Sequence, residues 1–332
     1  SDLNNKQRKN MNKLKKIGLS ALAGSLVAIS ANAVEVSISG GATMYMSKGA
    51  ETTATGLSMT DSVTFTTSGT TDGGIDVSIS LELDGDAAND ALDSKSIKFG
   101  TDDLGTITFA GHGGSSVMGG MDDKTPNAYE EVWDGVTGAD TDVIGGHGGN
   151  NLLRYDSPSF SGVTAHASYQ DAGTDSAVAG SEKVSTYSDF GVTIAPEAFP
   201  DLSIGMAVAN YSATASLDGE ESTIYVSYNF GDKISVGYQT SEIDLGTSAN
   251  TDESEAFGIS YKVTDDISVS YGTHTIDYGS GTTDQEASGF SASYTMGGMT
   301  IAGMTNTVDN VGGSTDASND KEGYEISLSF AF

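Results

Sequence analysis

Apolar residues in this chain recur at every second position and almost nowhere at every third or fourth. In "GGIDVSISLELD", Ile75, Val77, Ile79, Leu81 and Leu83 share one face, with Asp76, Ser78, Ser80, Glu82 and Asp84 on the other. In "STIYVSYNF", Ile224, Val226, Tyr228 and Phe230 alternate with Thr223, Tyr225, Ser227 and Asn229. A period of two belongs to extended strands with one oily face. The pattern returns in "ITFAG", "VTAHASY", "ISVGY", "FGISY", "ISVSYG", "FSASYTM" and "YEISLSFAF", so the fold class is all-β.

Two architectures satisfy such strands: a water-soluble sandwich whose oily faces meet, or a membrane barrel whose oily face meets lipid. The polar face is made mainly of Ser, Thr, Gly and Asp, with few of the Lys and Glu that coat soluble sheets. Only 37% of the residues are apolar, little for the core of a sandwich with this many strands. A water-filled barrel needs a single apolar layer, which favours a transmembrane antiparallel β-barrel.

The first residues place the chain outside the cytoplasm. Residues 11–33, "MNKLKKIGLSALAGSLVAISANA", read as a secretory signal peptide: basic Lys13, Lys15 and Lys16, an apolar run from Ile17 to Ile29, and Ala31-Asn32-Ala33 for cleavage. The apolar run is shorter than the roughly 20 residues that a spanning helix needs. Residues 1–10 read as an upstream extension and residues 34–332 as one barrel domain. No stretch of 34–332 contains even a dozen consecutive apolar residues, so an exported chain of this kind is soluble or a barrel.

Beyond position 33 the chain carries nine basic and 45 acidic side chains. That balance excludes nucleic acid as a partner. Cysteine is absent, so no disulfide framework operates, and a domain of this length does not depend on one.

Alternating segments fall near 34–48, 58–71, 74–84, 94–101, 105–111, 150–157, 162–171, 183–195, 201–212, 221–231, 233–244, 254–264, 267–278, 287–297, 299–310 and 321–332. The count is about sixteen, with fourteen and eighteen as the neighbouring even counts. Short turns such as "TDGG", "FGDK" and "MGGM" alternate with longer polar connections, the hairpin pattern of outer-membrane barrels. An even count puts both ends at the periplasmic rim. In the terminal strand Tyr324, Ile326, Leu328, Phe330 and Phe332 face lipid and Glu325 faces the lumen. The best-read strands are expected to place no charge on the oily face.

"LGTITFAG" (104–111) followed by "NNLLRYDSPSFSGVTAHASY" (150–169) resembles the general, non-specific trimeric porins of Gram-negative outer membranes, of the alphaproteobacterial kind. The motif covers 104–169 and the aromatic ending; the architecture covers the rest. The resemblance implies a sixteen-stranded barrel with an inward-folded third loop, a homotrimer, and passive diffusion of small hydrophilic solutes. It also implies that an aromatic ending, here Tyr324, Phe330 and Phe332, is read by the outer-membrane barrel assembly machinery.

Residues 112–149 are then the third loop. Asp122, Asp123, Glu130, Glu131, Asp134, Asp140 and Asp142 stand there against a single Lys124. The family's constrictions set acidic loop residues against several wall arginines, whereas beyond position 33 this chain has only Arg154. Alternation turns Arg154 and Lys98 toward the lumen, and His112 stands where the family has a basic residue. The expectation is a cation-preferring pore, with cations and small hydrophilic solutes as its passengers and outer-membrane lipid around it. The plainer reading of these carboxylates is a solvated loop.

"GHGG" occurs at 111–114 and 146–149. His112 and His147 could form a partial metal or proton-sensitive site, but two ligands do not make one, and glycines at the feet of a folded loop explain the motif better. His166 faces the lumen, His274 has no assigned role, and Trp133 packs the loop onto the wall. No cofactor is expected; calcium would need a ligand spacing that the carboxylates do not show. Hydrolase, zinc-protease, phosphate-loop and redox motifs are absent, so the chain does not read as an enzyme. The nonapeptide repeat of calcium-loaded adhesins does not recur. The alternative to a pore is a non-conducting barrel acting as adhesin or surface receptor.

Overall fold

Each alternating segment pairs antiparallel with the next, and the first closes on the last. The computed structural model describes residues 34–48, 56–84, 92–141, 143–145, 149–171, 173–174, 183–184, 186–213, 217–244, 251–279 and 283–332. The signal-peptide segment, Asp142 and His147 lie outside these residues.

The barrel strands are β1 Glu35–Lys48, β2 Gly56–Thr70, β3 Asp76–Asp84, β4 Leu92–Thr101, β5 Gly105–His112, β6 Leu152–Asp156, β7 Val163–Gln170 and β8 Thr186–Ile194. They continue as β9 Leu202–Ala213, β10 Leu217–Phe230, β11 Ile234–Asp244, β12 Thr251–Lys262, β13 Ile267–Asp277, β14 Gln285–Met296, β15 Met299–Asp309 and β16 Lys321–Ala331. Together they form one closed barrel of sixteen strands, as the alternation predicts. A two-residue ribbon, Gly173–Thr174 with Lys183–Val184, stands apart from it. No helix among the described residues is long and apolar enough to cross a membrane; the strands do the crossing.

Closure brings Met44 opposite Leu328 and Met46 opposite Ile326. Beyond that ladder Gly40 and Phe332 exchange both backbone hydrogen bonds, at 3.0 and 2.9 Å. Closing the sheet removes the unpaired edges that lipid cannot hydrate. Phe332 is therefore part of the seam.

Apolar side chains are turned outward along every wall. Ile79, Leu81, Phe109, Phe190, Val208, Ile224, Phe290 and Ile326 are all exposed on that face, while their strand neighbours Ser80, Ala110, Asp189, Ala207 and Ser327 point inward. From β10 to β16 the outward face ends, at the rim of the longer connections, in carboxylates: Glu220, Glu242, Asp244, Glu253, Asp277, Glu286, Asp309 and Glu322. Several stand directly opposite one another, as Glu242 with Glu253 and Glu286 with Asp309.

Two charges stand within the outward face. Asp61 of β2 is exposed on the outward face, opposite Ala42, with Leu57 and Met59 on one side along the strand and Val63 and Phe65 on the other. β2 pairs with β1 in a register that puts its odd-numbered residues outside, Asp61 among them. Lys95 of β4, opposite outward Leu81, is a second outward charge. A basic group costs about 2–4 kcal/mol at the bilayer midplane and an acidic one somewhat less.

Candidate pore constriction

The segment between β5 and β6 is drawn across the inner wall by side chains that reach it from eight strands. Its first turn is held where Val117 N–H donates to Ser168 Oγ (3.1 Å) on β7 and Met118 N–H to Asp189 Oδ2 (2.8 Å) on β8. Asp189 also accepts from Tyr187 Oη (2.9 Å) and from the Ser168 hydroxyl. Farther on, Gln239 of β11 accepts from Lys124 N–H (2.9 Å) and donates to the Met121 carbonyl (2.7 Å). Ser270 of β13 accepts from Ala128 N–H (2.9 Å). Asn306 of β15 donates to the carbonyls of Glu131 (3.1 Å) and Asp134 (2.8 Å), and Glu325 of β16 accepts from Tyr129 Oη (2.6 Å). Gln285 of β14 brackets Asp140, accepting from its N–H (2.9 Å) and donating to its carbonyl (2.8 Å). The segment thus supplies its backbone with partners that a loop inside a barrel would otherwise take from water.

Apolar contacts complete the docking. Trp133 is buried with Val136 against Ala287 and Val308 of the wall, as expected of that residue, and its indole lies on His274 of β13. Val117, Met118 and Met121 join Tyr187, Ala207 and Ile243 in a second cluster. The wall also makes room: a Cβ on Gly237 would come within 2.5 Å of Pro126 Cδ, and one on Gly323 would fall on the Gly135 carbonyl.

The sequence-predicted carboxylates divide into two groups. Asp122, Asp123, Glu130, Glu131 and Asp134 lie along the arm 122–134. Glu131 Oε1 accepts from Asn127 Nδ2 (2.9 Å) and Asp134 Oδ2 from Glu131 N–H (3.2 Å). Burial, then the neighbouring Glu131 and Glu130, pushes the Asp134 carboxyl up to about 8, and burial raises that of Asp122. Asp140 stands apart, its Oδ2 accepting from Tyr278 Oη (2.5 Å). Burial, then that bond, pushes the Tyr278 hydroxyl well above its ordinary value.

Lys98 and Arg154 both lie on the inward face, in one row through Thr108. Lys98 is exposed and lines a recess of about 560 Å³ with Glu35, Asp76 and Asp102. Arg154 is engaged. Its guanidinium pairs with Asp156 (Nε and Nη2, both 3.0 Å) and donates through Nη1 to the carbonyls of Ser115 (3.2 Å) and Ser116 (3.0 Å). Asp156 also receives His166 Nδ1 at 2.6 Å, and His166 Nε2 meets Thr193 Oγ1 at 2.9 Å. Arg154 fastens the root of the loop.

Sequence reasoning missed the anchors themselves. Gln239, Gln285 and Asn306 alternate onto the polar face among Ser and Thr, and their extra length was the only sign that they reach across to something. Among the described residues, no group of three or more His, Asp or Glu is placed to hold a metal ion.

The sequence pattern of the Gram-negative porin family matches residues 18–313, and the chain belongs to that family. No curated protein matches the sequence. Among solved structures, the barrel is similar to an anion-selective porin from Comamonas acidovorans, with 16% identity, a TM-score of 0.66, and coverage of 90% of this chain and 100% of that one. It is similar also to OmpT of Vibrio cholerae in a trimer form, at 12% identity and a TM-score of 0.66, covering 91% and 100%. A mutant of the Rh. blastica porin matches at 15% identity and a TM-score of 0.61, covering 90% and 100%. The chain is an outer-membrane channel protein of a Gram-negative bacterium and works by passage rather than by catalysis.

Proposed function

We propose that this porin forms a water-filled, cation-preferring channel for passive diffusion of small hydrophilic solutes, assembled as a homotrimer. The observation that carries the ion preference is the balance of acidic and basic side chains beside the passage. The arm 122–134 brings five carboxyl groups to the lumen with Lys124 as their one basic neighbour, while the guanidinium of Arg154 is taken up by Asp156 and two carbonyls. The anchors named above leave the passage between the arm and the wall of β1–β4. That wall presents hydroxyls, among them Thr43, Tyr45, Thr60, Thr66 and Ser80. Carboxylates beside a narrow passage concentrate cations and repel anions. Hydroxyls opposite them exchange hydrogen bonds with neutral solutes at little cost.

The anion selectivity of the Comamonas porin belongs to that protein; at 16% identity the likeness to it is one of fold. The trimer form of OmpT supports the homotrimer. A reversal potential in a planar bilayer under a KCl gradient tests the preference: cation selectivity at low salt is expected, and anion selectivity overturns it. Liposome swelling by small sugars separates a pore from a non-conducting adhesin or receptor. The aromatic ending, Tyr324, Phe330 and Phe332, serves on this reading as the signal for the barrel assembly machinery.

A further inference from the structure

The recess beside Lys98 lies at the rim of the short turns, on the β1–β4 wall that faces the passage. Its floor is one row of the sheet, in which Glu35 of β1 stands opposite Ser68 of β2, Ser68 opposite Ser78 of β3, and Ser78 opposite Lys98 of β4. Glu35 and Lys98 thus close the two ends of a pair of hydroxyls, about 14 Å apart across three strand spacings. Asp76 lies on the next row toward the rim, about 8 Å from Lys98 between Cα atoms, and Asp102 lies in the turn that follows β4.

Opposite charges share this recess without meeting. Among the described residues no ion pair or hydrogen bond reaches Lys98, Glu35 or Asp102. Asp76 accepts from Thr70 Oγ1 through Oδ1 at 2.6 Å, which steadies the carboxylate against the wall and leaves Oδ2 for another donor. All four charged side chains are exposed to the water of the lumen. The volume of about 560 Å³ is that of a small-molecule site, with a few polar groups converging on one space.

We propose that this recess is a subsite for short zwitterionic peptides, with Lys98 holding the ligand's carboxylate and Asp76 and Glu35 its ammonium. A simple cation would meet the carboxylates but be repelled by Lys98, and a simple anion would meet Lys98 among three carboxylates. A molecule that carries both charges satisfies both ends. An extended dipeptide is about 7 Å long, which matches the separation of Lys98 from Asp76, and Ser68 and Ser78 offer hydroxyls to its peptide group. The inference adds a class of passenger to the channel reading, but binding itself does not depend on conduction.

Folded protein in detergent, titrated with glycylglycine and followed by saturation-transfer NMR, tests the site. Saturable binding is expected. It should weaken about tenfold or more for N-acetylglycylglycine, which lacks the ammonium, and for glycylglycinamide, which lacks the carboxylate, because each loses a charge-assisted hydrogen bond. Lys98→Gln should lower the affinity for glycylglycine to that for the amide, and Asp76→Asn should weaken both ammonium-bearing ligands. Glu253→Gln, which removes a carboxylate from the outer rim, should bind glycylglycine as the parent does. Glycylglycinamide binding as tightly as glycylglycine, or a Lys98→Gln protein with the parent's affinity, makes the recess a cation site and overturns the proposal. Absence of saturable binding by the parent also overturns it, while a cation-selective reversal potential from the same preparation leaves the channel reading standing.

Discussion

The indole of Trp133 and the imidazole of His274 lie with ring centroids 4.2 Å apart and planes tilted by 53°. One ring belongs to the loop and the other to the wall, and His274 is 1% exposed with neither ring nitrogen hydrogen-bonded among the described residues. The contact works through shape and apolar surface.

Trp133→Ala should therefore release the middle of the loop while the barrel stays closed. Truncating a buried tryptophan costs about 3–5 kcal/mol, here charged to loop docking alone. Larger, noisier single-channel steps with unchanged strand content by circular dichroism are expected. His274→Phe keeps the packing and should conduct like the parent. Wild-type conductance in Trp133→Ala would show that the loop is held without the ring contact.

Asp134 gives the channel a pH dependence with a definite sign. Its carboxyl is raised to about 8, so it is neutral below that pH and charged above it. Cation selectivity should rise as pH passes upward through about 8, and Asp134→Asn should remove the step. In the unfolded chain the group titrates near pH 4. Between about pH 4 and 8 the folded state therefore holds the extra proton, and loop docking weakens as pH rises through that window. Reversal potentials from pH 6 to 9 check the first effect; limited proteolysis of the loop checks the second.

Arg154 and Lys98 carry the same charge but should respond differently to neutralisation. Lys98→Gln removes an exposed lumenal cation and should shift the reversal potential further toward potassium. Arg154→Gln removes a guanidinium already paired with Asp156, so its main effect should be a loosened loop root and raised conductance noise. Arg154→Lys should rescue it only in part, since one ammonium cannot reproduce the fork that holds Asp156 and two carbonyls. A larger selectivity change at Arg154 than at Lys98 would reverse these assignments.

Glu242 and Glu253 face each other across neighbouring strands on the outer surface. Like charges directly opposite destabilise a sheet, and such pairs are worth roughly 0.2–1 kcal/mol in magnitude. Glu253→Gln should raise the thermal midpoint of the detergent-solubilised barrel at low ionic strength, and added salt should shrink the difference.

The sixteen strands were legible in the sequence because lipid on one side and water on the other impose a period of two on each segment separately. Element ends shifted by a few residues where the alternation ran on into polar rims, as in β10, which begins at Leu217 rather than near 221. Local pattern does not reveal where a loop lands. The anchors of the third loop lie 115 residues away at Gln239 and 145 at Gln285, and no short-range signal joins them. The acidic segment could be named from composition, but the separation of Asp140 from the arm and the engagement of Arg154 depend on contacts brought together by the closed barrel. The outward place of Asp61 was illegible for a related reason, since an isolated charge in an alternating strand tells its face only once the register is known.

The seam between β1 and β16 also orders events in time. Thr43 and Ser329, 286 residues apart, are hydrogen-bonded at 3.0 Å across it. The first strand to emerge therefore waits for its closing partner until almost the entire chain has crossed the inner membrane. Throughout that interval both borders of the growing sheet are templates for pairing with other chains. The topology thus leaves an edge of the sheet unpaired until the last strand is in place, and the risk of mispairing falls away only in the final step.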